Sequence, residues 1–339
     1  MKKHFIIFVF ALFCLLFSLG SVYAQRGSTS TQVTNIRFIS SLPRNSDWGR
    51  ELDKLASDWQ RATNNQVRVT MTHGSQMSES TMISSLLSNS IQAAVLSSSG
   101  LYEICPAVIN LSVPFMIRND AELDLVLRDI KPVLEDRVRN EFVIIGWSKG
   151  GWVYIFSKEA VLTPNDLRRQ KLASSNELRD MNTAFKTMGF QVIETDWVNI
   201  GTRLASNMVT AFYMIPTLMV PLNLHRGLQM LELPIAPVMG AIVMNRVTWN
   251  QISAANQQEM LRFARQMGLG FDASINKNET AAITSMSRDR LTVNRPNQVQ
   301  QEIWRAELQN SIPSLVGSVY DRDLYNQING ILQRARSGR

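Results

Sequence analysis

A chain of 339 residues, 45% hydrophobic and 19% charged, has the composition of an ordinary folded protein and the length of about two domains, which excludes disordered and fibrous architectures. Its net charge of +7 arises from 35 basic and 28 acidic residues interspersed along the chain, so no clustered basic face points to nucleic acid. Two cysteines and three histidines cannot build a disulfide framework and make a His/Cys metal centre improbable.

The first 24 residues carry the compartment signal. Lys2, Lys3 and His4 precede the apolar run Phe5 to Gly20, and Val22-Tyr23-Ala24 forms a small-x-small cleavage site before Gln25. This is the pattern of a secretory signal peptide over residues 1–24 and predicts an exported protein. An uncleaved anchor would want about 20 apolar residues, more than this run supplies. Lipidation at Cys14 is opposed by bulky Phe13 before it and further apolar residues after it. Residues 25–34 read as a flexible Gly/Ser/Thr tether. Cys105 is then the one remaining thiol, expected to be buried and free.

Strand and helix periodicities alternate from there. Ile36 to Ile39 is a short strand, followed by a helix with Trp48, Leu52, Leu55, Ala56 and Trp59 on one face. Asn64-Asn65 ends that helix, and Val67, Val69 and Met71 alternate as a strand. A second helix carries Met82, Ile83, Leu86 and Leu87 and leads to a strand over Ile91 to Leu96. Asn119 with Glu122 three residues later marks a helix start. Phe142 to Ile145 and Val153 to Phe156 are strands on either side of Lys149-Gly150-Gly151. Thr163-Pro164 opens a helical turn with Asp166 at its positive end, Lys171-Leu172-Ala173 is a strand, and Met181, Ala184, Phe185 and Met188 line a helix. The stretch Leu204 to Val243 has only Arg226 and Glu232 as charges but four prolines, so it is core or ligand wall, not a membrane span. Ser253 to about Arg290 keeps a helical pattern without proline, long enough to run across two lobes. Alternating units of this kind predict an α/β fold, bilobal, with mostly parallel sheets.

No catalytic motif accompanies the fold. His73 and His225 belong to no HExxH, CxxC, GxSxG, P-loop or GxGxxG pattern and read as structural. Acidic residues are scattered, and no two can be paired as acid and base. The fifteen methionines after Met1 are core filler or, less simply, an adaptable ligand wall. The chain reads as a binding protein, not an enzyme, with no cofactor and no metal.

Ser40-Ser41-Leu42-Pro43 with Trp48-Gly49-Arg50 is followed by Ser98-Ser99-Gly100-Leu101 with Cys105-Pro106 and Val113-Pro114-Phe115. Asp166-Leu167 through Lys171-Leu172, and Met208 to Ala211 leading to Pro216, complete the series. Together, in this order, these segments resemble the DctP-like solute-binding proteins of tripartite ATP-independent periplasmic (TRAP) transporters. The resemblance implies two α/β lobes closing on a ligand, joined by crossover strands and a lobe-spanning helix. Lobe I is expected over 35–150 plus 240–280, and lobe II over 151–239 plus 281–339.

The departures from the family pattern concern the ligand. Ala173 stands where the family carries an arginine that clamps a carboxylate, Trp152 lies near a second arginine position, and Thr210 replaces the acid of a Val-Asp-Gly wall. The resemblance places Leu42, Trp48, Ser99, Trp152 and Ala173 at the ligand, together with Ser175, Asn176, Phe212, Tyr213 and Met214. Phe212 and Tyr213 can both face inward only if the chain has left the strand there, which the approach to Pro216 favours; if only one enters, Phe212 is expected to be that one. Alanine and tryptophan cannot neutralise a carboxylate, so the ligand is expected to be apolar or neutral unless Lys149, Arg179 or Arg203 supplies the charge. The implied partners are membrane transporter subunits and, by resemblance to the spirochaetal branch, a tetratricopeptide-repeat protein; no nucleic acid is implied. The alternative is a periplasmic ligand-sensing or lipid-carrier module without a transport role.

Overall fold

Side-chain alternation makes the first strand: in Thr34–Ile39 (β1) Ile36 and Phe38 turn inward while Asn35 and Arg37 turn to solvent. The computed structural model describes residues 33–338, so the signal-peptide reading, Cys14 and nearly all of the tether lie outside the described residues. β1 pairs in parallel with Val67–Thr72 (β2) and Ala93–Leu96 (β3). Phe142–Trp152 (β4) and Pro237–Asn245 (β10) complete this sheet in the order β2-β1-β3-β10-β4, with β10 antiparallel to both neighbours. The second sheet is built from Tyr154–Ser157 (β5), Lys171–Ser175 (β6), Gln191–Thr195 (β7), Ala211–Met214 (β8), Gln229–Leu231 (β9) and Thr292–Asn294 (β11). Its order is β11-β9-β5-β8-β6-β7. The chain is thus a bilobal α/β protein.

Around the first sheet lie α1 (Asp47–Ala62), α2 (Glu79–Leu87), α3 (Ser98–Ile104) and α4 (Asp120–Val138). Around the second lie α5 (Pro164–Arg168), α6 (Arg179–Thr187), α7 (Ile200–Ala205) and α8 (Pro216–Met219). α9 (Arg246–Gln251), α10 (Ala254–Arg288), α11 (Gln298–Leu315) and α12 (Arg322–Arg336) follow. Local chemistry sets the helix ends. Asn119 caps α4 by accepting from the Glu122 N–H at 2.9 Å, and Ser46 caps α1 through the Gly49 N–H at 3.0 Å. Asn64 and Asn65, both left-handed at φ 50° and 59°, turn the chain out of α1 toward β2.

Two chain segments cross between the sheets. β4 passes through Val153 into β5, and the returning segment pairs with it there, Val153 N–H to Ala236 C=O at 2.9 Å and Ile235 N–H to Val153 C=O at 3.0 Å. α10, at 35 residues, packs on α1 and β4 in the first lobe and on α8 in the second, so it spans both. The Trp59 indole N–H anchors its first half by donating to the Met260 C=O at 3.0 Å.

Two local expectations are corrected. β4 does not stop at Lys149-Gly150-Gly151 but runs through it, because the ladder with β10 shifts register between Val238 and Met239 and the glycines absorb the irregularity. Gly151 sits at φ +104°, a conformation strained for any side chain. Phe212 and Tyr213 also do not form a turn. They are adjacent residues of strand β8, held by pairing to Phe156 and Ile155 of β5, and so face opposite sides of the sheet.

Candidate ligand-binding site

The topology brings one kind of strand end to the lobe boundary. The crossover lies at the C-terminal end of β4, and the antiparallel β10 carries that end into register with the C-terminal end of parallel β3 through Ala241 and Leu96. In the second sheet Tyr154, the first residue of β5, pairs with Met214, the last residue of β8, and β6 and β7 run parallel to β8. Each lobe therefore presents the carboxyl ends of its parallel strands to the other, the place where open α/β sheets bind ligands.

Leu42, Ser99, Ser175, Asn176 and Met214 fall at these ends. Leu42 is half-buried in the loop after β1, its C=O accepting from the Gly74 N–H at 3.0 Å. Ser99 is buried in the first turn of α3. Ser175 is fully buried, its hydroxyl donating to Glu177, and exposed Asn176 donates its amide to Asp196 at 2.9 Å. Ala173 and Phe212 lie deeper in their strands with no solvent exposure, and Phe212 stacks on Phe156 with ring centroids 5.7 Å apart. Trp48 stacks on Phe271 of α10, with ring centroids 3.8 Å apart. Trp152 has both N–H groups committed, the backbone to Glu279 at 3.1 Å and the indole to Asp120 at 3.2 Å. Tyr213 is half-buried against Trp197 and Phe185, and its hydroxyl lies 2.9 Å from that of Ser174.

Acidic groups dominate this boundary. Glu79, opening α2, accepts from the Ser97 N–H at 2.6 Å, the Ser97 hydroxyl at 2.7 Å and the Gly100 N–H at 2.8 Å. Burial pushes its carboxyl above the usual range, and the nearby charge of Glu177 in the other lobe adds to the effect. A Cβ on Gly100 would come within 2.9 Å of the Glu79 carboxyl carbon, so the glycine of the Ser98-Ser99-Gly100 segment is required for this contact. Between the lobes, the Tyr102 hydroxyl of α3 donates to Asp180 of α6 at 2.6 Å. Burial, then that carboxylate, raises the Tyr102 phenol. Beside this contact a cavity of about 360 Å³ is lined by Tyr102, Cys105, Arg137, Asp180 and Tyr320 among others. Cys105 is a free buried thiol, pushed up by burial.

The three candidate cations differ. Lys149 is the only buried lysine or arginine among the described residues, and its ammonium lies 2.6 Å from Asp124 and 3.9 Å from Asp272. Arg179 is exposed at the start of α6, and Arg203 is half-buried in α7. His73 and His225 are structural, bound to Asp53 at 2.8 Å and Asp289 at 3.0 Å.

Residues 38–316 match the family DctP, bacterial extracellular solute-binding protein, family 7. The chain belongs to this family. The family is one of bacterial extracellular solute-binding proteins, receptors and not enzymes. No curated protein matches the sequence. Among solved structures, the chain is similar to a sugar acid binding protein from Advenella mimigardefordensis in complex with galactonate, at 14% identity and a TM-score of 0.82 over 90% of this chain and 99% of that one. It is similar to a TRAP periplasmic solute-binding protein from Ralstonia eutropha H16 with bound (S)-2-acetolactate, at 15% identity and a TM-score of 0.81 over 89% and 99%. A third, from Sulfurospirillum deleyianum with bound succinate, aligns at 16% identity and a TM-score of 0.81 over 88% and 98%. These likenesses carry the fold. Among the described residues no helix of this DctP protein is long and apolar enough to cross a membrane.

Sequence reading missed Glu79, which caps a neighbouring helix within its lobe, and the groups that join the lobes, Tyr102 with Asp180 and Glu279. Each is unremarkable in its own segment, and each acquires its role from a partner at least 18 residues away. Ser78-Glu79 carries a detectable helix-start signal, but nothing in the sequence tells that its carboxylate caps the next helix instead.

Proposed function

We propose that this DctP protein captures a small apolar or neutral molecule between its lobes and delivers it to the membrane subunits of a TRAP-type transporter. One observation carries the ligand class. Ala173, where the resemblance expects an arginine, is fully buried, and Lys149, the one buried lysine or arginine among the described residues, is already paired with Asp124. An unpaired carboxylate brought to this site would cost several kcal/mol even after relaxation. The acidic boundary formed by Glu79, Glu177 and Asp180 would repel it further. An apolar ligand instead gains about 25 cal/mol per Å² of buried surface. Leu42, Ser99, Ser175, Asn176, Tyr213 and Met214 line the cleft in this reading, Ala173 and Phe212 form its floor, and Trp152 serves the hinge. Lobe I comprises 35–150 plus 240–280 and lobe II 151–239 plus 281–339, with closure as the signal read by the membrane subunits.

The sequence resemblance to the spirochaetal branch supports a tetratricopeptide-repeat partner, which co-purification of the tagged receptor would test. The N-terminal pattern supports export by a signal peptide. A second reading, an organic acid held by exposed Arg179, is favoured by the galactonate, acetolactate and succinate of the similar structures.

Calorimetry separates the two readings. Succinate, galactonate and sialic acid are expected to give no binding heat, while solvent extraction of protein purified from its host should release an uncharged molecule identifiable by mass spectrometry. Tight binding of any of these acids, lost in Arg179→Gln, would overturn the neutral-ligand reading in favour of the second.

A further inference from the structure

We infer that Tyr102 of α3 and Asp180 of α6 form a latch for the closed arrangement of the lobes. The bond joins two protein groups and so favours closing whether or not the cleft is filled; the inference rests on the two-lobe receptor reading above. The Tyr102 hydroxyl donates to the Asp180 carboxylate at 2.6 Å, the length of a charge-assisted bond. Burial, then that carboxylate, holds the phenol above its ordinary value, so it remains a proton donor at physiological pH. Arg179, next to Asp180 in the chain, is exposed and forms no ion pair among the described residues, so its guanidinium does not occupy this carboxylate.

The bond sits far from the hinge. At the start of α4, Asp120 accepts at 3.2 Å from the indole N–H of Trp152, the residue before the crossover. Arg137, near the other end of α4, lines the cavity that Tyr102 and Asp180 also line. A rise of about 1.5 Å per residue puts these two points roughly 25 Å apart. Over that lever arm a rotation of about 10° at the crossover moves the far end by roughly 4 Å, which breaks a hydrogen bond outright. The contact is therefore made in one arrangement of the lobes and lost in the other. Asp180 is exposed and the cavity lies beside the bond, so water can solvate both groups on opening. A latch requires that reversibility.

Nearby acidic groups resist the same approach. The Ser80 hydroxyl of α2 donates to Glu103 at 2.6 Å and lies 3.5 Å from Glu177 of the other lobe. Its one proton serves Glu103, so Glu103 and Glu177 face each other as like charges. Glu177 is held in its own lobe by the Ser175 hydroxyl, and its charge also bears on buried Glu79. Bringing the lobes together thus carries an electrostatic cost. Tyr102 offsets it, because a neutral hydroxyl meets the Asp180 charge without adding one of its own.

The test is the separation of the lobes in protein stripped of small molecules. It is read by double electron–electron resonance between spin labels on Ser84→Cys of α2 and Thr187→Cys of α6, both exposed, in a Cys105→Ser background that serves as the parent. Tyr102→Phe keeps the ring and should lower the ratio of short to long separations about tenfold. Asp180→Ala should lower it as much, and the double variant no further, since the two changes remove one bond. Asp180 is exposed, so its variant carries the test should Tyr102→Phe fail to fold. Two populations in an unchanged ratio overturn the latch and leave the two-lobe reading standing. Additive falls in the double variant overturn the pairing of these two groups. A single separation in every variant overturns the closing motion, and the latch with it.

Discussion

Replacing Glu279 by alanine tests whether α10 holds the crossover between the lobes. Its two carboxylate oxygens accept from the Trp152 N–H at 3.1 Å and the Tyr154 hydroxyl at 2.8 Å, and both donor residues are buried. Leaving a buried donor unpaired costs about 1–3 kcal/mol, so two give roughly 2–6 kcal/mol. Part of this is offset, because burial of the carboxylate is itself unfavourable and holds the Glu279 carboxyl above its ordinary range. The expected net loss for Glu279→Ala is about 2–4 kcal/mol by urea unfolding at pH 7. Glu279→Gln retains one accepting oxygen and should lose only about 1–2 kcal/mol. The sign of the pH dependence follows from the raised carboxyl. The folded protein binds this proton more tightly than the unfolded chain, so the contribution is full below the ordinary value of 4.5 and is lost as pH rises through the folded value. The advantage of the parent over Glu279→Gln should therefore shrink from pH 4.5 toward neutrality. An Ala variant within about 0.5 kcal/mol of the parent, the range of an ordinary surface change, would refute the reasoning. So would a Gln variant that costs as much as Ala.

Two further outcomes follow from the same geometry. Gly100→Ala should destabilise by about 1–3 kcal/mol in spite of alanine's better helix propensity, because the Glu79 carboxylate is pinned by three hydrogen bonds and cannot yield to the new methyl group; an unchanged or raised melting temperature would count against it. Glu122 of α4 accepts from the Arg336 guanidinium at 2.8 Å through each oxygen, and this pairing holds its carboxyl below the ordinary range. Its contribution is present above 4.5 and lost as pH falls through the folded value, so Glu122→Gln should cost about 0.5–1 kcal/mol at pH 7, allowing for solvent screening of a partly exposed pair. Melting curves taken below pH 4.5 should show that gap closing; a constant gap down to pH 3 would mean that the ion pair contributes nothing.

Most of the fold was legible because its signals are local. Trp48, Leu52, Leu55 and Trp59 lie one helical turn apart, Asn119 precedes Glu122 at capping distance, and the apolar pattern from Ser253 onward is long enough to require a spanning helix. These features survive translation from sequence to structure because backbone hydrogen bonding and side-chain periodicity act within a few residues. The family resemblance likewise reached the receptor class, since DctP covers residues 38–316. The glycines at 150 and 151 were misread as a break because a bulge is defined by the partner strand, and β10 lies some 90 residues further along the chain.

The candidate site was legible only in what it lacks. Ala173 and Trp152 announced that the expected arginines are absent, a fact of composition at two positions. What replaces them could not be read in that way. Whether Phe212 or Tyr213 reaches the end of β6 depended on the pairing of β8 with β5, which makes the segment a strand and sends the two rings to opposite faces. The hydrogen bonds linking Tyr213, Ser174, Asn182 and Ser175 join β8, β6 and α6, and the Glu279 contacts join α10 to β4 and β5. The amino-acid sequence by itself determined the periodicities, the caps and the missing charge, because each is a property of neighbours along the chain. Only the tertiary structure decided which polar groups satisfy one another, because a buried donor must be paired by whatever acceptor the packing of distant segments brings within about 3 Å.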